Sequence, residues 1–204
     1  MSHDLGGLDV SRETYERLKS YEALLRKWNP AINLVSRRTL DEAWTRHFVD
    51  SAQIFDLAPK NARHWADLGS GGGFPGMVIA ILAAEKAPEM RVTLVESDQR
   101  KATFLRSVAR ETGVTVEVIA KRIEEVPPLG ADVLSARALA SLTQLLGFAE
   151  RHLCPGGIAL FPKGAGHQAE IDEALETWRF EVQKTSSRTE PGAVILTIGG
   201  IARV

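Results

Sequence analysis

The sequence lacks several features that would assign it to a specialised class of protein. It has one cysteine, Cys154, in 204 residues, which excludes an internal disulfide framework. Its 25 basic and 26 acidic residues leave a net charge of −1, so no global charge attracts nucleic acid. No apolar run approaches the roughly 20 residues that span a bilayer, the N-terminus lacks the apolar stretch of a signal peptide, and no Cys, His and acidic residues share metal-site spacing. We therefore expect a cytoplasmic protein without a membrane segment or a metal.

The N-terminal part of the chain has helical periodicity. Apolar and aromatic residues recur at helical spacing from Ser11 to Trp28, with Ser11 as a candidate N-cap. Proline disfavours helix at the preceding residue, so this helix is expected to end before Pro30. A second helix is predicted near residues 39–55, with Thr39 starting a possible capping box.

After residue 60 the pattern changes to strands that alternate with helices. The predicted strands are 63–68, 91–96, 114–119, 131–136, 157–162, 178–184 and 193–199, and the predicted helices lie near 76–86, 98–112, 140–152 and 166–176. Such alternation indicates a parallel sheet covered on both faces. A short polar turn joins the last two strands, so they should pair antiparallel. The expected fold is α/β, the seven-stranded, mostly parallel plan of class I (Rossmann-like) methyltransferases over residues 61–204, with residues 1–60 as an N-terminal helical extension packed on it.

The stretch DLGSGGGFPG at residues 67–76 follows the first strand of that sheet and opens the next helix. In doubly wound sheets, ligands bind beyond the carboxyl ends of the strands. Glycine permits positive φ and lets a ligand approach bare backbone, while the helix start offers unpaired N–H groups. The position favours a nucleotide-binding loop over a turn that only packs strand against helix.

Two registers of this loop imply different cofactors. The dinucleotide pattern G-x-G-x-x-G falls on Gly71, Gly73 and Gly76. The pattern D-x-G-x-G-x-G of S-adenosylmethionine enzymes falls on Asp67, Gly69, Gly71 and Gly73. A carboxylate repels a pyrophosphate but attracts an ammonium and a sulfonium, so Asp67 favours S-adenosylmethionine. Glu96, at the end of the second strand, can accept ribose hydroxyls from either cofactor and does not discriminate.

Three further loops would complete the cleft. After the third strand, Ile123 can pack on an adenine ring and Glu124 can meet its exocyclic amine, although a plain amphipathic turn explains these residues equally well. After the fourth strand, Arg137 can pair with a cofactor carboxylate or an RNA phosphate, unless it is only a surface arginine. After the fifth strand, Lys163 is expected to face the same cleft and contact phosphate.

Several motifs occur in a recognisable order. They are RKWNPAINLVS (26–36), RHFVDS (46–51), DLGSGGGFPG (67–76), RIEE (122–125), SARALA (135–140) and FPKG (161–164). Over essentially its whole length the chain resembles the RsmG (GidB) family of bacterial small-subunit rRNA methyltransferases. The resemblance implies methyl transfer from S-adenosylmethionine to N7 of the guanine at position 527 of 16S rRNA. It also implies cofactor contacts at Gly69, Phe74, Ile123, Glu124 and Arg137. One departure is that Gly72 and Phe74 stand where relatives often carry Pro and Leu.

The chemistry of that reaction agrees with what the cleft contains. Guanine N7 has an in-plane lone pair and no proton to remove, so alignment of the reactants matters more than acid–base catalysis. SARAL stands where amino-methylating enzymes carry an Asn/Asp-Pro-Pro-Tyr motif, and Cys154 is expected to be a buried turn thiol rather than a nucleophile. His47, Arg137 and Lys163 are therefore candidates for positioning the substrate; His47 and Asn33 could hold the N-terminal helices over the cleft.

RNA contacts would have to come from local basic patches. The candidates are Arg26, Lys27, Arg37, Arg38 and Arg46 in the first patch, and Arg100, Lys101, Arg106 and Arg110 in the second. Each patch could instead be a solvated surface, and Arg46 and Asp50 could pair with each other along a helix. The expected partner is 16S rRNA or the 30S subunit, bound by a monomer. Alternatives are a small-molecule methyltransferase, a nicotinamide-dependent oxidoreductase and a non-catalytic RNA-binding protein.

Overall fold

The computed structural model describes residues 2–204, and their strands form two sheets. The strands are β1 (Ser2–Asp4), β2 (Asp9–Ser11), β3 (His64–Leu68), β4 (Arg91–Val95), β5 (Glu117–Ile119), β6 (Ala131–Ser135), β7 (Leu153–Lys163), β8 (Trp178–Ser186) and β9 (Val194–Arg203). The helices are α1 (Arg12–Ile32), α2 (Arg37–Leu40), α3 (Asp50–Phe55), α4 (Gly76–Lys86), α5 (Gln99–Thr112), α6 (Leu142–His152) and α7 (His167–Ala174), with a π-helical segment at Trp44–Val49 and a 3-10 turn at Ile123–Glu125.

The large sheet has the strand order β5-β4-β3-β6-β7-β9-β8. Strands β3 to β7 pair in parallel, and β9 lies antiparallel between β7 and β8. This order confirms the predicted seven-stranded plan with a C-terminal antiparallel hairpin. The central strand β3 is buried at all five positions, as expected for a parallel strand covered on both faces.

Helix α1 begins where the sequence predicts, but the predicted end was wrong. The Ser11 hydroxyl accepts a hydrogen bond from the Thr14 N–H at 3.2 Å, which caps the first turn. Pro30 lies inside the last turn of the helix, which ends at Ile32 and is capped by Asn33 with a left-handed φ of 48°. The Asn29 side chain accepts from the Val35 N–H at 2.8 Å, which fixes the path of the chain after the helix.

The single helix predicted over residues 39–55 is interrupted in the structure. It divides into α2, the π-helical segment and α3, and the cap of α2 is Ser36 rather than Thr39. The alternative pairing of Arg46 with Asp50 does not occur, because the Arg46 guanidinium contacts Glu42 at 2.9 Å instead. Asp50 begins α3, and its carboxylate accepts from Arg137, which follows β6, at 3.3 Å. The small β1–β2 hairpin was not predicted, because its strands have three residues each.

Apolar side chains form a core on each face of the large sheet. One core contains residues of α1, α3, α4 and α5, and the other contains residues of α6, α7 and the C-terminal hairpin. In the first core, Tyr21 of α1 packs on Phe48 and Phe74, with ring centroids 4.9 and 5.3 Å apart. These rings join the N-terminal helices to the glycine loop. No helix within residues 2–204 is both long and apolar enough to cross a membrane.

Candidate functional site

The glycine loop connects the end of β3 to the start of α4. Gly69, Gly71 and Gly73 have φ values of 66°, 55° and 99°, the left-handed region that favours glycine. A Cβ on Gly73 would lie 2.8 Å from the Cβ of Met77, so that glycine permits close packing of the loop on α4. A Cβ on Gly71 would meet nothing nearer than the Gly69 carbonyl at 3.9 Å. Gly71 therefore presents bare backbone to open space.

That open space is a cavity of about 740 Å³, which we call the glycine-loop cavity. Its volume lies within the range of small-molecule sites. Of the predicted cofactor-binding residues, it is lined by Gly69, Gly71, Phe74, Glu96, Ile123, Glu124 and Arg137. The parallel strands β3, β4 and β6 all end at this cavity, which is why loops far apart in the sequence meet there.

Asp67, the remaining predicted cofactor contact, does not line the cavity. Its carboxylate is fully buried behind the loop, where one oxygen accepts from the Gly76 N–H at 3.1 Å and the other from the Ser135 hydroxyl at 2.7 Å. Ser135 in turn accepts from the indole N–H of Trp65 at 2.8 Å. Burial raises the pKa of Asp67 to about 6, despite these hydrogen bonds. Asp67 therefore connects the loop to α4 and β6 and does not face the cavity.

Glu96 connects the end of β4 to the same loop and is 7% exposed. One carboxylate oxygen accepts from the Gly71 N–H at 2.7 Å, and the other accepts from the Asp98 N–H at 2.8 Å. A carboxylate has about four acceptor positions, so two remain after these bonds. Glu96 thus fixes the loop and still has lone pairs available for ribose hydroxyls of a nucleoside in the cavity.

Apolar and exposed residues complete the wall opposite Glu96. Ile123 is buried in the 3-10 turn, while Glu124 is exposed at the cavity rim, with its carboxylate 3.9 Å from the guanidinium of Arg122. Leu34, Leu139 and Phe148 also line the cavity and were not predicted to do so. Leu34 and Leu139 lie within the motifs INLVS and SARALA, so those motifs were the available signal.

Arg137 stands at the cavity wall in a network that reaches the N-terminal helices. Its guanidinium contacts Nδ1 of His47 at 3.0 Å and the Asp50 carboxylate at 3.3 Å, and lies 5.3 Å from the centre of the Phe74 ring. Because a guanidinium only donates, Nδ1 of His47 must accept this hydrogen bond, which places the proton of the neutral ring on Nε2. Nε2 then donates to the Thr39 hydroxyl at 3.0 Å. Burial, followed by the charge of Arg137, lowers the pKa of His47 to about 4. His47 is therefore neutral at physiological pH.

A second cavity of about 620 Å³, which we call the adjoining cavity, shares Arg137, Ala138 and Ala140 with the first. Lys163 lines this cavity together with Arg137 and does not line the glycine-loop cavity. Its ammonium donates to the Glu170 carboxylate at 2.6 Å and to the Ala140 carbonyl at 3.2 Å. The two cavities therefore meet at Arg137, between the ends of β6 and β7.

The predicted basic patches are partly neutralised by acids. Arg26 pairs with Glu22 at 3.1 Å, as Arg46 does with Glu42, whereas Arg37 and Arg38 are exposed and have no acidic partner within residues 2–204. In the second patch, Lys101 lines the glycine-loop cavity. Within the same part of the chain, no group of three or more His, Cys, Asp or Glu side chains could hold a metal ion.

The predicted thiol environment was partly wrong. Cys154 lies at the start of β7 rather than in a turn before it, and it is only partly buried. Its sulfur donates to the Asp132 carboxylate at 3.5 Å, and burial followed by this contact raises the pKa of the thiol. A raised pKa disfavours the thiolate, which is the nucleophilic form.

Comparisons with known proteins agree with this geometry. The family model for GidB, rRNA small subunit methyltransferase G, matches residues 14–193. A protein of that name from Ruegeria sp. (strain TM1040) is 60% identical over 97% of this chain and 96% of its own length. Another, from Ruegeria pomeroyi, is 58% identical over the full length of both.

Solved structures share the fold at low sequence identity. A ribosomal protein L11 methylase from Lactobacillus delbrueckii subsp. bulgaricus aligns with a TM-score of 0.60 at 18% identity, over 76% of this chain and 78% of that one. The O-methyltransferase TomG from Streptomyces achromogenes, solved in complex with SAM, aligns with a TM-score of 0.56 at 16% identity, over 90% and 88% of the two chains. These likenesses confirm the methyltransferase fold expected from the strand order.

Proposed function

Because the chain belongs to the rRNA small subunit methyltransferase G (GidB) family, we propose that it methylates N7 of the guanine at position 527 of 16S rRNA. S-adenosylmethionine is the methyl donor. The observation that carries the proposal is the meeting of two cavities at Arg137, one beside the glycine loop and one between the ends of β6 and β7. A methyl donor in the first and a base in the second would lie next to each other.

The glycine-loop cavity fits S-adenosylmethionine by its own chemistry. The bare backbone at Gly71 leaves room for a ligand, Glu96 has unused acceptor positions for ribose hydroxyls, and Ile123 offers an apolar surface to an adenine. Gly69, Phe74, Glu124 and Arg137 complete the proposed binding set, and Asp67 supports it from behind. When bound, the cofactor supplies an electrophilic methyl group on a sulfonium.

The residues of the chain need to align the acceptor rather than activate it. Guanine N7 uses an in-plane lone pair and loses no proton, so the proposed mechanism assigns no step to a general base or a metal. Neutral His47 fits this requirement, since its Nδ1 is committed to Arg137 and its Nε2 proton to Thr39. We assign His47 and Arg137 to positioning at the junction of the cavities, and Lys163 to the adjoining cavity, where its ion pair leaves it less free to bind phosphate than the sequence suggested.

We extend the proposal to the organisation of the protein. Residues 1–60 act as a helical extension that packs on the catalytic domain of residues 61–204 through Tyr21 and Phe48 and supplies His47 to the junction. The enzyme acts as a monomer in the cytoplasm, where its partner, 16S rRNA or the 30S subunit, is found. The exposed Arg37 and Arg38 lie on α2, close in sequence to Thr39 at the adjoining cavity, and would contact RNA phosphates.

Two measurements test this proposal. The purified protein is incubated with labelled S-adenosylmethionine and 30S subunits from cells that lack the gene, and N7-methylguanine is mapped at position 527. Transfer of label to that position, falling steeply with added salt, is the expected result. Persistence of N7-methylguanine there in cells without the gene would rule the proposal out. Salt-independent methylation of a small molecule would instead favour the alternative substrate class, and binding of NAD but not S-adenosylhomocysteine would favour an oxidoreductase.

A further inference from the structure

We propose that Glu170 recognises the target base as guanine, by accepting hydrogen bonds from its N1–H and 2-amino groups in the adjoining cavity. The inference rests on the proposed function, since it deepens the account of the same site. Glu170 is on α7, just after the FPKG motif, and its side chain lines the cavity beyond Arg137 from the glycine loop.

Three acids line the adjoining cavity, and they differ in how their oxygens are used. Both oxygens of Asp50 are occupied, one by Arg137 at 3.3 Å and the other by Gln53 at 3.0 Å and the Thr189 hydroxyl. Glu190 is exposed, and nothing within residues 2–204 holds its carboxylate. Among these three acids, only Glu170 is held through one oxygen while its other oxygen has no hydrogen-bond partner within residues 2–204.

Glu170 is held through one oxygen and free at the other. Its Oε2 accepts from the ammonium of Lys163 at 2.6 Å and from the backbone N–H of Leu142 at 2.9 Å. Its Oε1 has no hydrogen-bond partner within residues 2–204, and the side chain is 33% exposed. Lys163 itself is only 10% exposed, so this ion pair is anchored on the cavity wall and not in bulk water. A carboxylate fixed in this way has little freedom left to lose when it binds a donor.

The edge of guanine opposite N7 carries the complementary groups. Guanine presents N1–H and the 2-amino group as adjacent donors there, whereas adenine has an acceptor at N1 and no amino group at C2. With N7 directed to the glycine-loop cavity, this edge points into the adjoining cavity, whose lining includes Glu170. A carboxylate that accepts from such donors makes a charge-assisted hydrogen bond, about twice as strong as a neutral one. It also counters the positive charge that guanine acquires as N7 is methylated.

The decisive experiment combines Glu170→Gln with inosine at position 527 of the rRNA. Inosine lacks only the 2-amino group of guanine. In the variant, the amide oxygen would remain with Lys163 and Leu142, because both are donors, and the amide NH₂ would then face the donors of the base. We expect the wild type to prefer guanine over inosine in kcat/KM on the order of ten- to a hundredfold. We expect the variant to lose a similar factor on guanine and to treat the two bases alike.

The controls separate recognition from folding and from the proposed function. Glu173→Gln removes an exposed charge three residues further along α7 and should keep the wild-type guanine preference. Glu170→Gln should bind S-adenosylhomocysteine as the wild type does. A guanine preference unchanged in Glu170→Gln would overturn the inference. If Glu170 only supported Lys163, its replacement would lower kcat/KM equally for guanine and for inosine. Absence of guanine preference in the wild type would also overturn it, whereas absence of any methylation at position 527 by the wild type would instead refute the proposed function.

Discussion

The buried carboxylate of Asp67 should make the stability of this protein depend on pH in an unusual direction. Burial raises the pKa of Asp67 from 3.8 to about 6. A shift of about two units corresponds to about 3 kcal/mol against the ionised form in the folded state. The Asp67 carboxyl ionises near pH 3.8 in the unfolded chain and near pH 6 in the folded protein, so between these pH values it is mostly ionised in the unfolded state and mostly protonated in the folded state. The Asp67 contribution to stability is therefore favourable at low pH and is lost as the pH rises through this window.

Asp67→Asn isolates this contribution. The asparagine oxygen can still accept from the Gly76 N–H, and its NH₂ can donate to the Ser135 hydroxyl, which has a second acceptor position beside the bond from Trp65. The variant carries no charge at any pH. We expect its free energy of unfolding, relative to the wild type, to rise by about 2 kcal/mol between pH 4.5 and pH 7.5.

Urea unfolding followed by tryptophan fluorescence, on the cofactor-free protein at each pH, measures this difference. Asp98→Asn is a matched control, because hydrogen bonds, first that from the Lys101 N–H, lower the pKa of Asp98. The free energy of unfolding of the wild type, relative to Asp98→Asn, should decrease as the pH falls, which is the opposite of the dependence expected for Asp67. An unfolding difference for Asp67→Asn that is the same at both pH values would refute the assignment of a costly buried charge.

Three further outcomes are expected. Gly71→Val should fold and lose about 5- to 150-fold in affinity for S-adenosylhomocysteine by calorimetry, the equivalent of about 1–3 kcal/mol, because its side chain would enter the space proposed for the ligand. Gly113→Val, also at positive φ but outside the lining of the glycine-loop cavity, should keep the wild-type affinity. His47 should stay neutral from pH 6 to pH 9 and titrate near pH 4 by NMR, and an NMR pKa of 6.5 would contradict the network around it. Because the pKa of His47 falls from 6.5 on folding, its contribution to stability should be lost as the pH falls from 6.5 to 4. Tyr21→Phe should lower stability by about 1–2 kcal/mol, since its buried hydroxyl donates to the Gly72 carbonyl, and an unchanged urea midpoint would show that this bond contributes nothing.

Much of the fold follows from patterns that are local in the sequence. Strands such as 64–68 and helices such as 76–86 carry their own periodicity, and the crossover rule for parallel strands arranges them into a sheet. The glycine loop at 69–76 was predictable for the same reason, because φ requirements act on single residues. The N-terminal helices were less predictable, since neither a π-helical segment nor a helix that continues past a proline is marked by the apolar periodicity of the sequence.

The sequence by itself determined which residues reach the end of the sheet, and the tertiary structure decided what each does there. The ends of β3 and β4 place Asp67 and Glu96 at the same edge of the sheet, but the folded chain buries the Asp67 carboxylate behind the loop and leaves Glu96 at the cavity. Arg137 meets His47 and Asp50 across about 90 residues of chain, a contact that no local period encodes. The division into two cavities likewise arises from the relative placement of whole elements, which is settled only when their apolar faces pack together.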